Sequence, residues 1–200
     1  MGPEILELRR WQDRQARILG RLLLRAGLIR LGLGEAAGLQ GWFRACSGRP
    51  GLAHCRADIS ISHTSGLALC ALAPAGRVGV DVERQAVRDL PGLRAAFGAR
   101  EWREIQAGPD PALTALALWT AKEAALKADG RGFSLEPSAI DARGELVSVD
   151  GALWHISRPR LAPGWVCAVA TDRAVARIDA LAADVSTLIG QLAPLAPAGG

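Results

Sequence analysis

The stretch from Asp110 to Gly130, DPALTALALWTAKEAALKADG, constrains the fold more than any other part of this 200-residue chain. Aspartate can cap the free amides of a first helical turn, and proline at the first helical position loses no hydrogen bond. Mostly Ala, Leu, Lys and Glu follow, so one long helix over 111–129 is predicted. Short apolar runs lie on both sides of it. Upstream, 58–62, 67–73 and 77–83 read as strands, separated by His63-Thr64-Ser65-Gly66 and Pro74-Ala75-Gly76; downstream, 145–149, 153–157 and 165–170 do. A leucine- and arginine-rich segment from about Ile5 to Leu31 repeats apolar residues at helical spacing (Trp11, Ile18, Leu22 and Leu19, Leu23, Ala26), predicting a first helix that ends near Gly27 or Gly32. A helical fragment is expected at 101–106, and an alanine-rich helical segment after Thr171. The order helix, strands, helix, strands, helix gives an α+β protein of two similar-sized lobes, 1–84 and 85–190, with a flexible low-complexity tail at 191–200.

Half of the residues are apolar, enough for a buried core. The 24 basic and 20 acidic side chains leave a net charge of +4. That bias suits a phosphate-bearing ligand or an acidic protein partner. It falls short of the basic stripes of nucleic-acid-binding proteins, and no nucleic-acid partner is expected. No pair among Cys46, Cys55, Cys70 and Cys167 has the two-residue gap of metal knuckles or redox motifs, and Cys70 and Cys167 lie in apolar runs, as small buried hydrophobes do. Glu4, Glu7, Arg9 and Arg10 replace the apolar stretch of a signal peptide, and the uncharged run from Thr64 to Gly76 is too short to span a bilayer. A cytoplasmic protein with reduced thiols and no membrane partner is expected.

Three short motifs carry the chemistry. In the strand Val78-Gly79-Val80-Asp81-Val82-Glu83 the valines share one face, while Asp81 and Glu83 project side by side from the other. Paired carboxylates suit a hard divalent cation, although a solvated strand face is the commoner reading of an isolated Asp-x-Glu. Gly79, on the carboxylate face, leaves space for a ligand to approach the backbone. On the long helix, Glu123 and Lys127 are four apart and share a face, as in an ordinary surface ion pair or as a third carboxylate and a phosphate-directed charge. Lys122 projects elsewhere and reads as a surface charge. The third motif, Ser60-Ile61-Ser62-His63-Thr64-Ser65-Gly66, can present hydroxyl, amide and imidazole donors to an anion. No G-x-S-x-G element is present, so serine-hydrolase chemistry has little support.

Taken together and in order, ISISHTSG, VGVDVE and WTAKEAALKADGRGFSL resemble the 4′-phosphopantetheinyl transferase superfamily, in its surfactin-synthetase-activating (Sfp) type. The resemblance covers about Trp11 to Ala170, and includes an arginine-bearing first helix and Gly48-Arg49-Pro50 where the family more often has Gly-Lys-Pro. Members usually carry a strand and basic residues ahead of that helix, whereas this chain begins almost at it.

The resemblance implies a pseudo-dimer of two similar α+β lobes, with coenzyme A and Mg2+ bound in the cleft between them. Asp81, Glu83 and Glu123 would coordinate the metal together with the coenzyme A pyrophosphate. Lys127 would contact the phosphate, and Ser62 with His63 would hold the nucleotide end. Arg21 matches an arginine that some members direct at the 3′-phosphate, and Arg49 would serve coenzyme A in the same way, since guanidinium suits bidentate phosphate contact. The implied reaction is attack of a serine hydroxyl of an acidic apo carrier protein on the β-phosphorus of coenzyme A, with Glu123 as base, Lys127 offsetting charge, and 3′,5′-ADP released. A monomer is expected, because a pseudo-dimer completes its own cleft. Two other functions fit the same residues: a metal-dependent phosphohydrolase acting on coenzyme A, and an inactive relative that binds carrier protein without modifying it.

Overall fold

A computed structural model describes residues 11–34, 39–85, 90–131 and 135–190. The start of the first helix near Ile5 and the tail at 191–200 lie outside the described residues. Helix α1 spans Trp11–Arg30 and runs on through Gly27. It closes where the Leu33 amide donates to the Leu28 carbonyl at 2.9 Å and Gly32 takes a φ of +73°, which glycine adopts without a Cβ penalty. Its buried stripe is Gly20, Leu24 and Leu28, one turn apart each time. Of the apolar residues singled out by spacing, Ile18, Leu19, Leu22, Leu23 and Ala26 flank that stripe and are half-buried.

A small hairpin, β1 (Trp42–Arg44) and β2 (Pro50–Leu52), comes next, in a stretch where the sequence pattern predicts no strand. The antiparallel pair β3 (Asp58–Thr64) and β4 (Leu67–Ala73) follows, and α1 packs across it, with Gly20 against Ile61 and Gly27 against Leu72. Strand β5 (Val78–Arg84) begins a four-stranded antiparallel sheet of order β5-β8-β7-β6, with β6 at Leu146–Val149, β7 at Ala152–Ser157 and β8 at Trp165–Thr171. Between β5 and β6 lie the short helix α2 (Leu90–Leu93), α3 (Ala99–Ala107) and the long α4 (Pro111–Asp129). Helix α4 keeps the predicted limits: the Asp110 carboxylate accepts from the Leu113 amide at 2.9 Å, and Gly130 ends the helix in a left-handed conformation.

The two sheets meet along β3 and β5, and side chains bridge the seam. The Asp58 carboxylate accepts from the Val78 amide at 2.7 Å, Ser60 Oγ from Val80 at 3.0 Å and Ser62 Oγ from Val82 at 3.4 Å. Alternate residues of β3 therefore satisfy alternate amides of β5, which explains why small oxygen-bearing side chains recur there at a spacing of two. The valine face of β5 packs with Leu67, Leu69, Cys167 and Val169, while its other face carries α4. The architecture is mixed α+β, as the sequence predicts.

Gly79 serves a different purpose from the one its position suggests. A Cβ there would lie 2.0 Å from the Ala124 carbonyl oxygen and 2.5 Å from the Ala128 amide, so the missing side chain admits the backbone of α4 and not a ligand. The segment after Thr171 also departs from expectation. Residues 172–184 form no regular helix, and α5 is confined to Val185–Gly190, where Asp184 accepts from the Thr187 amide at 2.8 Å. Residues 172–187 are exposed, and alanine content without a buried face does not hold a helix in water. No helix among the described residues is long and apolar enough to cross a membrane.

Candidate functional site

A cavity of about 450 Å³ opens where α1, β1, β3, β5 and α4 converge. Arg21, Arg49, Ser62, His63, Asp81, Glu123 and Lys127 all line it, so seven of the eight predicted site residues share one space. Glu83 does not line it; its carboxylate accepts from the Thr64 hydroxyl at 3.4 Å.

Asp81 is the buried centre, 5% exposed. Its Oδ1 accepts from Lys127 Nζ at 2.7 Å and from the Ser62 hydroxyl at 2.8 Å, while Lys127 Nζ also donates to Ser62 Oγ at 3.0 Å. Ser62 is thus engaged with Asp81, Lys127 and the Val82 amide, and its hydroxyl orders the site. The second oxygen, Asp81 Oδ2, is buried with no hydrogen-bond partner, a costly arrangement for a carboxylate.

Glu123 faces the same cavity from the middle of α4. Burial raises its carboxyl above the ordinary glutamate range, the Asp81 charge adds to the rise, Lys127 opposes it, and Glu83 adds further. An unpartnered carboxylate oxygen and a second carboxyl that resists ionisation beside it both suit a hard cation with oxygen ligands, so the donor set fits one. As the side chains stand, no three His, Cys, Asp or Glu among the described residues are grouped closely enough to hold a metal ion. Lys127 is at Asp81 in their place.

The cavity is also basic. Arg17, Arg21, Arg44 and Arg49 line it, the Arg21 guanidinium lies 5.2 Å from the centre of the Trp42 ring, and His63 is exposed at the rim. Arg17 was legible as one turn from Arg21; Arg44 had no signal. Carboxylates and guanidinium groups around one cavity give a site that can neutralise an extended polyphosphate and still keep a base near it.

Lys122 is the clearest correction to the sequence reading. It is fully buried, and its Nζ donates to Glu101 Oε2 at 2.6 Å and to the carbonyls of Ala96 and Pro137, each at 2.8 Å. Glu101 accepts in turn from the amides of Gly98 and Ala142, both at 3.0 Å. The signal was present in the sequence: Leu118, Ala125 and Leu126 share its helical face, so this lysine sits on an apolar stripe. Burial pushes the Cys70 and Cys167 thiols up to about 12, away from the reactive thiolate, and all four cysteines are free.

No curated protein matches the chain. The crystal structure of Thermotoga maritima holo-[acyl-carrier-protein] synthase (AcpS) is similar with a TM-score of 0.38 and 18% sequence identity, over 47% of this chain and 61% of that one. The chain therefore spans less than two thirds of that protein's length. The segment from β5 to β8, which carries Asp81, Glu83, Glu123 and Lys127, matches at residues 77–169, just under half of the chain, the family model described as the 4′-phosphopantetheinyl transferase superfamily.

Proposed function

We propose that this protein transfers the 4′-phosphopantetheine arm of coenzyme A to a serine of an acidic apo carrier protein, as a cytoplasmic, monomeric enzyme of the surfactin-synthetase-activating type with two pseudo-symmetric lobes. One observation carries the reading: the carboxylates of Asp81 and Glu123 and the ammonium of Lys127 share a cavity with four arginines, and the segment holding the first three matches the transferase family model. The basic wall of Arg17, Arg21 and Arg44, with His63 at the rim, holds the nucleotide and its phosphates. Asp81, Glu83 and Glu123 hold Mg2+, which when bound supplies Lewis-acid neutralisation of the pyrophosphate.

Glu123, in its ionised form, takes the proton of the carrier serine. The serine oxygen forms a bond to the β-phosphorus as the bond to the bridging oxygen of the pyrophosphate breaks, and 3′,5′-ADP leaves with that electron pair. Lys127 offsets the charge that accumulates on the phosphate oxygens. Ser62 holds Lys127 and Asp81 in register while this happens.

Incubation with coenzyme A, Mg2+ and apo carrier proteins, read by mass spectrometry, tests the proposal. The expected product is a carrier heavier by one phosphopantetheine, absent when Mg2+ is omitted. Loss of coenzyme A without any carrier would identify a phosphohydrolase, and carrier binding without modification an inactive relative.

A further inference from the structure

Arg49 borders the cavity, yet both terminal nitrogens of its guanidinium are already spent. Nη1 donates to the carbonyl of Lys127 and, at 3.1 Å, to that of Ala128; Nη2 donates to the carboxylate of Asp58 and, at 3.0 Å, to the carbonyl of Val78. Two hydrogens on each terminal nitrogen make four of the five donors, and these four bonds use them, which leaves only the single Nε–H. No forked pair of donors remains for a phosphate, and the side chain is only 12% exposed.

The four acceptors belong to three elements: the last turn of α4, the first residue of β3 and the first residue of β5. Those same elements carry Lys127, Ser62 and Asp81, the hydrogen-bonded centre of the site. Arg77 reinforces the junction, donating from Nη2 to the carbonyls of Ala128 at 3.0 Å and Asp129 at 3.2 Å. A positive charge at the C-terminus of a helix is favoured by the macrodipole, and a planar fork can serve acceptors on different elements at once.

We infer that Arg49 is a positioning residue: it fixes the Lys127 turn of α4 against the strands that carry Ser62 and Asp81, and it is not a phosphate ligand. A lysine, with one compact ammonium, would keep the charge and lose the span. In its kinetic form the inference rests on the transferase reading.

Three variants separate the two roles: Arg49→Lys, Arg49→Met and Asp58→Asn, the last removing a clamp partner that does not line the cavity. Positioning predicts that all three lower kcat at saturating coenzyme A by about tenfold or more while KM for coenzyme A stays within about twofold. A phosphate ligand predicts that Arg49→Lys retains activity, that Arg49→Met raises KM about tenfold with kcat intact, and that Asp58→Asn is silent. Either of the first two results would overturn the inference. Amide hydrogen exchange at Leu126 to Asp129, measured without substrates, should be faster in every variant than in the parent protein, and unchanged protection would also overturn it. That readout holds even if the parent protein transfers nothing, so failure of the clamp and failure of the transferase reading are distinguishable. If Arg49→Met does not fold, Asp58→Asn and Arg49→Lys carry the test.

Discussion

Half withdrawn from water and beside Asp81 and Glu83, Glu123 ionises less readily than an ordinary glutamate, in spite of Lys127. An unfolded chain releases this proton near pH ~4.3, the folded protein at a higher pH. Between those two values the folded state binds more protons than the unfolded one, so stability falls as pH rises. The contribution is greatest below the unfolded value, is lost through the folded one, and remains lost at neutral pH. Glu123→Gln removes this term. In the cation-free protein its Tm should exceed that of the parent near neutral pH, and the gap should close as the buffer approaches about pH 4. Transfer should meanwhile fall by about a hundredfold or more, as expected when a general base is lost. Equal melting curves at both pH values would show that Glu123 is not strained, and near-parent turnover would show that it is not the base. That Asp81 shares a face with Glu83, and Glu123 with Lys127, was legible because faces on a strand and on a helix follow from fixed periods; their assignment to one site came from the resemblance that the three motifs carry together. That Lys127 rests on Asp81 was not legible, because a contact between α4 and β5 has no sequence period.

Helix α4 shows how one element can be read in its limits and misread in its faces. Its caps are local chemistry, and they set both ends as predicted. Which faces are buried depends on what packs around the helix, and here ten of its 19 residues are buried, including Lys122 on the α3 side and Ala124, whose backbone meets Gly79, on the β5 side. Two substitutions test these contacts. Gly79→Ala places a methyl group against the backbone of α4, which cannot yield as a side chain would. A loss of about 3 kcal/mol is expected from overpacking of this kind, seen as a Tm lower by about 6–12 °C. Lys122→Met leaves Glu101 buried without its cation and should cost about 3–5 kcal/mol. Adding Glu101→Gln to it should recover part of that loss, because the uncompensated charge is removed, and thermal melts of the parent, both single variants and the double variant provide the cycle. Strict additivity would show that the buried pair is not coupled. The missed helix after Thr171 follows the same logic in reverse: favourable propensity with nothing to pack against.

At the scale of the whole molecule, the cavity belongs to no single part of the chain. Arg21 comes from α1, Arg49 from the turn before β2, Ser62 from β3, Asp81 from β5, and Glu123 with Lys127 from α4. The sequence order of these motifs could be read directly, but their convergence depends on the seam between β3 and β5, where side chains of Asp58, Ser60 and Ser62 stand in for a backbone ladder. A ligand that fills such a site binds only the assembled protein, and so stabilises every element that contributes to it. Coenzyme A with Mg2+, at about a hundred times its dissociation constant, should add about 2.7 kcal/mol and raise Tm by about 5–10 °C. Coenzyme A alone should give a smaller rise, because the carboxylates then face the pyrophosphate without a cation between them. In Glu123→Gln the increment due to Mg2+ should shrink, whereas the increment due to coenzyme A should remain, since the basic wall is untouched. Differential scanning fluorimetry across the four combinations of ligand and metal reads both increments. If Mg2+ added nothing to the parent protein in the presence of coenzyme A, Asp81, Glu83 and Glu123 would not be the cation's ligands, and the orphaned oxygen of Asp81 would need another partner.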